Sequence, residues 1–340
     1  MLINPKNTTK IPFNSINSND KLKKVKLKDK IKRIFLILIS LRVRPLPEIK
    51  INLKEVKNVL LLRNDGLGDY VLTTPLIRLL KEMNPIVNID IVASHRNAKL
   101  IEYDNNIRKI FCISHRPSLI DLAKIAFEIK KFSDYDILIA SKHTKITNTA
   151  MMFNFISKKA IKIGFKIASF KNDYKFKSYR LTFQNIYNGK EEKYYKMLQW
   201  MLQAVSIEKL TFRNYYLLNE KFTEENKKKN FNPKINKILI NISGFEKSRI
   251  FTEDKIVQIK YSIKSINNNI SIVFTSSPES CPILDSLLEK GALTQEEIGK
   301  YDIISLIQEM PKYDLVITPD TAITHFASAL EIKQIIFYDT

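Results

Sequence analysis

Glycine, cysteine and histidine are all scarce in this chain. Its 340 residues hold seven glycines, two cysteines, four histidines and one tryptophan. Cys112 and Cys281 lie far apart, which argues against a disulfide scaffold and fits a reducing compartment. His95, His115, His143 and His325 are scattered, so no metal site is readable from their spacing. With so few glycines, each is expected to have a positional role. Long apolar runs are missing too. Ile34-Phe35-Leu36-Ile37-Leu38-Ile39 is far short of the roughly 20 residues a spanning helix needs. It also lies too far from Met1, and lacks a small-residue cleavage site, to read as a signal peptide.

Acidic charge is in deficit, with 56 Lys/Arg against 35 Asp/Glu and a formal net charge of +21. Residues 1–50 carry 13 Lys/Arg against 3 Asp/Glu, and Lys158 to Arg180 carries 8 against Asp173 alone. Such charge favours phospholipid head groups, nucleic acid or an anionic substrate. A lysine-, asparagine- and isoleucine-rich composition would produce the same excess on solvated surfaces. From Lys21 to Lys32 lysine alternates with Leu, Val and Ile. This arm reads either as a segment lying on an anionic membrane or as a helix packed on the main domain. No nucleic-acid-binding module is recognisable, which ranks that partner last.

What is present is an alternation of strands and helices. Asn58 to Arg63 is an apolar run ending in a glycine turn, and Tyr70 to Met83 has helical spacing. Asn88–Ala93, Lys109–Ile113, Asp136–Ala140 and Ile161–Phe165 read as buried strands, with helices at Ser118–Phe132 and Glu191–Val205. A polar stretch from Asn219 to Lys237, with Asn232-Pro233, is the best linker. Alternation then restarts. Strands are expected at Lys237–Ile242, Ser271–Thr275, Asp314–Thr318 and Gln334–Tyr338, and helices at Glu253–Ile266 and Thr321–Leu330. The pattern implies parallel sheets covered on both faces, in two halves with a cleft between them.

The turn Asp65-Gly66-Leu67-Gly68-Asp69 is neither a dinucleotide fingerprint nor a P-loop. Gly66 and Gly68 allow close backbone approach. Asp69, at a helix mouth, is placed either as a catalytic base or as an ordinary cap. Asp65 is a second candidate base or a turn-stabilising residue. Thr73 and Thr74 read as helix packing before substrate contact.

Three segments in order carry a resemblance. They are Asp65 to Asp69 with Thr73-Thr74-Pro75-Leu76; Ile240-Asn241-Ile242-Ser243-Gly244 with Lys247-Ser248-Arg249-Ile250-Phe251; and Asp314 to Leu330, with Asp320-Thr321-Ala322 and His325. Over roughly residues 56–340 the sequence resembles glycosyltransferase family 9, the heptosyltransferases of lipopolysaccharide core synthesis. The resemblance implies an α/β, GT-B-like fold of two facing Rossmann-like domains with parallel sheets. Residues 1–50 would form a basic arm, 51–220 the acceptor domain and 221–340 the nucleotide-sugar domain. It implies inverting transfer, with no cofactor and no metal, of a heptose from ADP-heptose to an anionic glycolipid acceptor. The setting would be cytoplasmic, in peripheral contact with an anionic membrane surface at the inner face of the inner membrane.

Residue by residue, the resemblance makes Asp69 the general base, next to Gly68. Arg249 stands where the family has lysine, two positions before an aromatic residue, and would bind phosphate with Lys247. Asp320, Thr321 and Ala322 open a helix whose amides can hold phosphate, and His325 is a further phosphate donor or a structural histidine. Ser276, Ser277 and Glu279 fall where the family contacts the nucleoside; Glu279 is equally a first-turn helix acid. Two features depart from the family. Ala322 replaces a glycine, and the sequence stops at Phe337-Tyr338-Asp339-Thr340, where a C-terminal helix is expected to follow. Both favour the alternative reading, a catalytically degenerate member that binds nucleotide or membrane without turnover.

Overall fold

The computed structural model describes residues 49–115, 117–141, 152–165, 185–187, 194–212, 234–244 and 246–338. The basic arm up to 48, most of the Lys158–Arg180 cluster, nearly all of the linker and His143 lie outside the described residues.

Two parallel sheets organise the chain. The first holds β1 (Asn58–Arg63), β2 (Asn88–Ser94), β3 (Ile107–Ile113), β4 (Ile137–Ala140), β5 (Ile161–Phe165) and β6 (Asn185–Tyr187), in the order β3-β2-β1-β4-β5-β6. The second holds β7 (Lys237–Asn241), β8 (Ser271–Thr275), β9 (Ile298–Gly299), β10 (Leu315–Pro319) and β11 (Lys333–Phe337), in the order β11-β10-β7-β8-β9. Every paired strand is parallel. The expected α/β class with two Rossmann-like sheets is therefore what forms. In each half the chain crosses to the other side of its first strand, so switch points lie between β1 and β4 and between β7 and β10. Crevices for ligands open at the carboxyl ends of such strands.

The strands are continuous apolar runs because both faces are covered. Val59 and Leu61 of β1 enter one core cluster, and Leu60 and Leu62 enter another, as side chains alternating across a pleat must. Both first strands are anchored in the same way at their starts. Asp136 Oδ2 accepts the amides of Lys57 at 2.7 Å and Asn58 at 2.9 Å. Asp314 Oδ2 accepts those of Asn236 and Lys237, both at 2.9 Å.

The helix expected from Tyr70 to Met83 is two helices, α1 (Leu67–Val71) and α2 (Thr74–Met83). Pro75 has no N–H to offer the Val71 carbonyl. The Thr74 hydroxyl donates to that carbonyl instead, and the Thr73 hydroxyl donates to Asp69 O, each at 2.8 Å. The two threonines thus support the break, as their packing role suggested. Further helices are α3 (Ala98–Ile101), α4 (Leu119–Phe132), α5 (Tyr194–Val205), α6 (Glu253–Ile266), α7 (Cys281–Glu289), α8 (Ile303–Glu309) and α9 (Ala322–Ala329). Of these, α3, α7 and α8 are additions to the sequence reading, as are strands β6 and β9.

One apolar cluster runs through both halves. It joins Val71, Leu76 and Ile101 of the first to Ile304, Ile307, Ile323 and Phe326 of the second. Helix α1 packs on α9, and α3 on α8. Among the described residues no helix is long and apolar enough to cross a membrane.

Candidate active site

The site lies where α1, from the first half, meets α9, from the second. Gly68 sits at the crossing. A Cβ there would lie 2.4 Å from His325 Cδ2 and 3.4 Å from Ala322 Cα. The space that the missing side chain leaves is filled by the imidazole of the other half. Gly68, Ala322 and His325 therefore come together, and the close approach that Gly68 permits is to the imidazole.

Asp69 is in the first turn of α1. Its Oδ2 accepts the Gly66 amide at 3.1 Å, so the capping role is real. Its Oδ1 lies 3.9 Å from Arg63 Nη2, and the side chain is 46% exposed. One oxygen is held by the backbone while the carboxylate still reaches the cleft. Asp65 is turned away. It is buried, accepting from Arg63 Nε at 3.0 Å, which suits a structural counter-ion better than a base.

Arg63 carries no role in the sequence reading, where it only closes the apolar run before the glycine turn. It ends β1 with 0% exposure. Besides its hydrogen bond to Asp65 and its longer ion pair with Asp69, it donates through Nη1 to the Ser141 carbonyl, across the switch point from β1 to the end of β4. Ser141 Oγ returns a hydrogen bond of 2.8 Å to Leu62 O. A charged residue closing an apolar run was the available signal; its partner near residue 141 was not.

In the second half, Asn241 occupies the equivalent place at the end of β7. Its Nδ2 donates to Thr318 Oγ1 at 2.9 Å and Ser243 O at 3.0 Å. Thr321 caps α9, its hydroxyl accepting the Ile323 amide at 3.3 Å. The start of this helix supplies backbone donors and the positive end of its dipole.

The loop after β7 brings Arg249 to the same place. Gly244 makes this possible: a Cβ there would lie 2.4 Å from Arg249 Cβ and 2.7 Å from its carbonyl carbon. Arg249 Nη1 is 3.1 Å from Asp320 Oδ2. Its Nε is buried and has no hydrogen-bond partner among the described residues. Phe251, in the aromatic position of the motif, is buried edge-on against Phe337 at 5.2 Å. Lys247 shares a short 3-10 turn with Arg249; its side chain lies outside what is described.

His325 binds these parts electrically. Burial pushes its pKa below the ordinary histidine value, and the carboxylates of Asp69 and Asp320 partly offset that. The ring thus feels one carboxylate from each half. Ser276 follows β8 and is partly exposed. Next to it, the Ser243 and Ser280 hydroxyls are 2.7 Å apart. Glu279 is exposed, with its carboxyl held below the usual range by its own amide first, then by the Ser277 hydroxyl and by Arg96 of the first half.

Two Rossmann-order sheets facing each other across these residues define a GT-B-like fold. Residues 131–340 match the family model of glycosyltransferase family 9 (heptosyltransferase). The chain belongs to that family. No curated protein matches it in sequence. In structure it is similar to a family 9 glycosyltransferase from Veillonella parvula, with TM-score 0.64 and 17% identity over 86% of this chain and 83% of that one. It is similar also to E. coli heptosyltransferase WaaC with ADP, with TM-score 0.62 and 12% identity over 82% and 86%. The same enzyme with ADP-2-deoxy-2-fluoro heptose gives 0.60 and 13% over 82% and 88%. At these identities the likeness speaks for the fold.

Proposed function

We propose that this chain is an inverting transferase that moves a heptose from ADP-heptose to the core of a lipopolysaccharide or a related surface glycan. Residues 51–220 receive the acceptor and 221–340 hold the donor. The observation that carries the reading is the crossing of α1 and α9, where His325 and Ala322 of one half close on Gly68, the neighbour of Asp69, in the other. A candidate base and a candidate phosphate cradle thus share one site. The ADP and the heptose analogue named for the two WaaC structures support a nucleotide-sugar donor.

In this reading Asp69 Oδ1 accepts the proton of the acceptor hydroxyl as that oxygen attacks the anomeric carbon. The glycosidic C–O bond breaks on the opposite face, and its electrons stay on the diphosphate. The charge that grows there meets the Arg249 guanidinium and the amides opening α9. Lys247 is the second cation, and Asp320, Thr321 and Ala322 line the phosphates. Ser276 and Glu279 reach toward the nucleoside, Glu279 by giving up its contact with Ser277. No metal or cofactor enters these steps. The acceptor, an anionic glycolipid, places the chain at the cytoplasmic face of the inner membrane, with the basic arm on the lipid.

Calorimetric titration with ADP, UDP and GDP tests the donor assignment. Selective ADP binding is expected. Arg249→Ala should weaken it by at least about tenfold, since hydrogen bonds to charged groups contribute about 1.5–3 kcal/mol. Binding of none of the three nucleotides would turn the reading to the degenerate alternative, and unchanged affinity in the variant would remove Arg249 from the phosphates.

A further inference from the structure

We infer that the outer face of α4, with the short helix at 152–156 beside it, is a second surface, besides the basic arm, by which this chain lies on an anionic lipid bilayer. The inference deepens the membrane contact proposed above and rests on that reading for its purpose. Helix α4 turns Ile125, Ala126 and Ile129 into the core. On the opposite side the helical repeat aligns Ile120, Lys124, Phe127 and Lys131 in one stripe. Ile120 is 67% exposed and Phe127 52%; Phe155, from the neighbouring helix, is 50% exposed.

Lysines frame each ring. Lys131 Nζ is 4.3 Å from the centroid of Phe127, and Lys130 Nζ is 5.3 Å from that of Phe155. Lys124, Lys158 and Lys159 are exposed around them. Of the acids on α4, Asp121 is engaged by the Ser118 amide and hydroxyl at the helix start, and Glu128 stands at the edge of the stripe.

Single exposed apolar residues are ordinary, but a cluster is not. The composition decides the partner. Lysine is depleted from the cores of protein interfaces. Lysine beside phenylalanine on one helix face suits the head-group boundary, where the ring enters the acyl region and the ammonium stays among phosphates. The placement fits an amphiphilic acceptor. Helix α4 begins beyond the carboxyl end of β3, the same end of the sheet from which α1 presents Asp69. A bilayer along α4 therefore reaches the mouth of the cleft.

The test uses the full chain and a local probe. In Trp200→Phe/Phe127→Trp, the new indole should shift to the blue and be quenched by lipids spin-labelled in their acyl chains. This should occur on phosphatidylglycerol-containing vesicles and not on pure phosphatidylcholine. Ile120→Ser/Phe127→Ser/Phe155→Ser and Lys124→Glu/Lys131→Glu should each lower co-sedimentation with the anionic vesicles by about tenfold or more, while ADP binding stays unchanged. An unquenched indole, or vesicle binding equal to the parent's in both variants, overturns the inference. Because the readout is lipid contact, failure of ADP binding or of transfer would overturn the proposed function and leave this result standing.

Discussion

The two halves wind alike, start their first strands alike, and differ at their switch points. In the first half the gap between β1 and β4 is spanned by a buried charge, Arg63, holding Asp65 and the Ser141 carbonyl. In the second, neutral groups span β7 and β10: Asn241 on Thr318 and Ser243. The difference follows from what each crevice presents. On the proposed function the first aims one carboxylate, Asp69, and a fixed cation lies 3.9 Å from it. In the same reading the second faces a diphosphate, with amide and hydroxyl groups on its loops and Arg249 beside them, paired with Asp320. In that reading the same frame carries a proton acceptor on one side and an anion cradle on the other.

The largest effect should come from the proton acceptor. Asp69→Asn keeps the shape and the hydrogen bond from Gly66 but removes the base. Transfer should fall by about 10²–10⁴-fold, the usual contribution of a positioned base, with ADP affinity within about twofold of the parent. A variant that still turned over at the parental rate would show that the division of labour between the halves is wrong.

Stability should separate the two switch points next. Arg63→Met strands Asp65 beside an apolar side chain, and breaking a buried ion pair from one side costs about 3–5 kcal/mol. Asn241→Ala removes neutral hydrogen bonds only, those to Thr318, Ser243 and Thr321 and the one from the Ser243 amide, at a cost of about 1–3 kcal/mol. Denaturant melts of both variants measure the gap. Equal losses would mean that charge is not what distinguishes the crevices.

Much of this frame is legible in the sequence because its signals are local. The apolar runs of β1, β2, β7 and β10 end at Asn, Ser or Pro-Asp turns, and Thr252 and Ser118 announce α6 and α4 by capping them. What stays hidden is non-local or short. Arg63 reads as punctuation until Ser141 is seen across the sheet. Gly68 reads as room for a ligand, because nothing near it in sequence announces His325. Helix α8 has seven residues, too few for periodicity to declare it, although Asp302 caps it through Ile304 and Ser305. Pro75 was the visible signal for the break between α1 and α2, and helical spacing on both sides of it masked the break.

The junction itself is tested by Gly68→Ala. The new methyl group meets the His325 ring, and overpacking of this kind costs about 1–3 kcal/mol. The loss should shrink in a His325→Ala background, giving a coupling energy in a double-mutant cycle. Additive losses would mean that the two helices do not meet at this pair.

The smallest effect is a slope with pH. Burial lowers the His325 pKa below its unfolded value of about 6.5, with Asp69 and Asp320 opposing. The unfolded chain then binds the proton more readily than the folded one. Stability from this group is therefore complete above pH of about 6.5 and declines as pH falls through that value, by at most about 1.4 kcal/mol for each pH unit. His325→Gln keeps a polar side chain at the crossing and removes the titration. Its stability should change less between pH 7 and pH 5 than the parent's, as read by thermal melts at fixed ionic strength. Parallel curves for the two proteins would place the imidazole in water and open the contact between α1 and α9, and with it the meeting of base and cradle on which the comparison of the two halves depends.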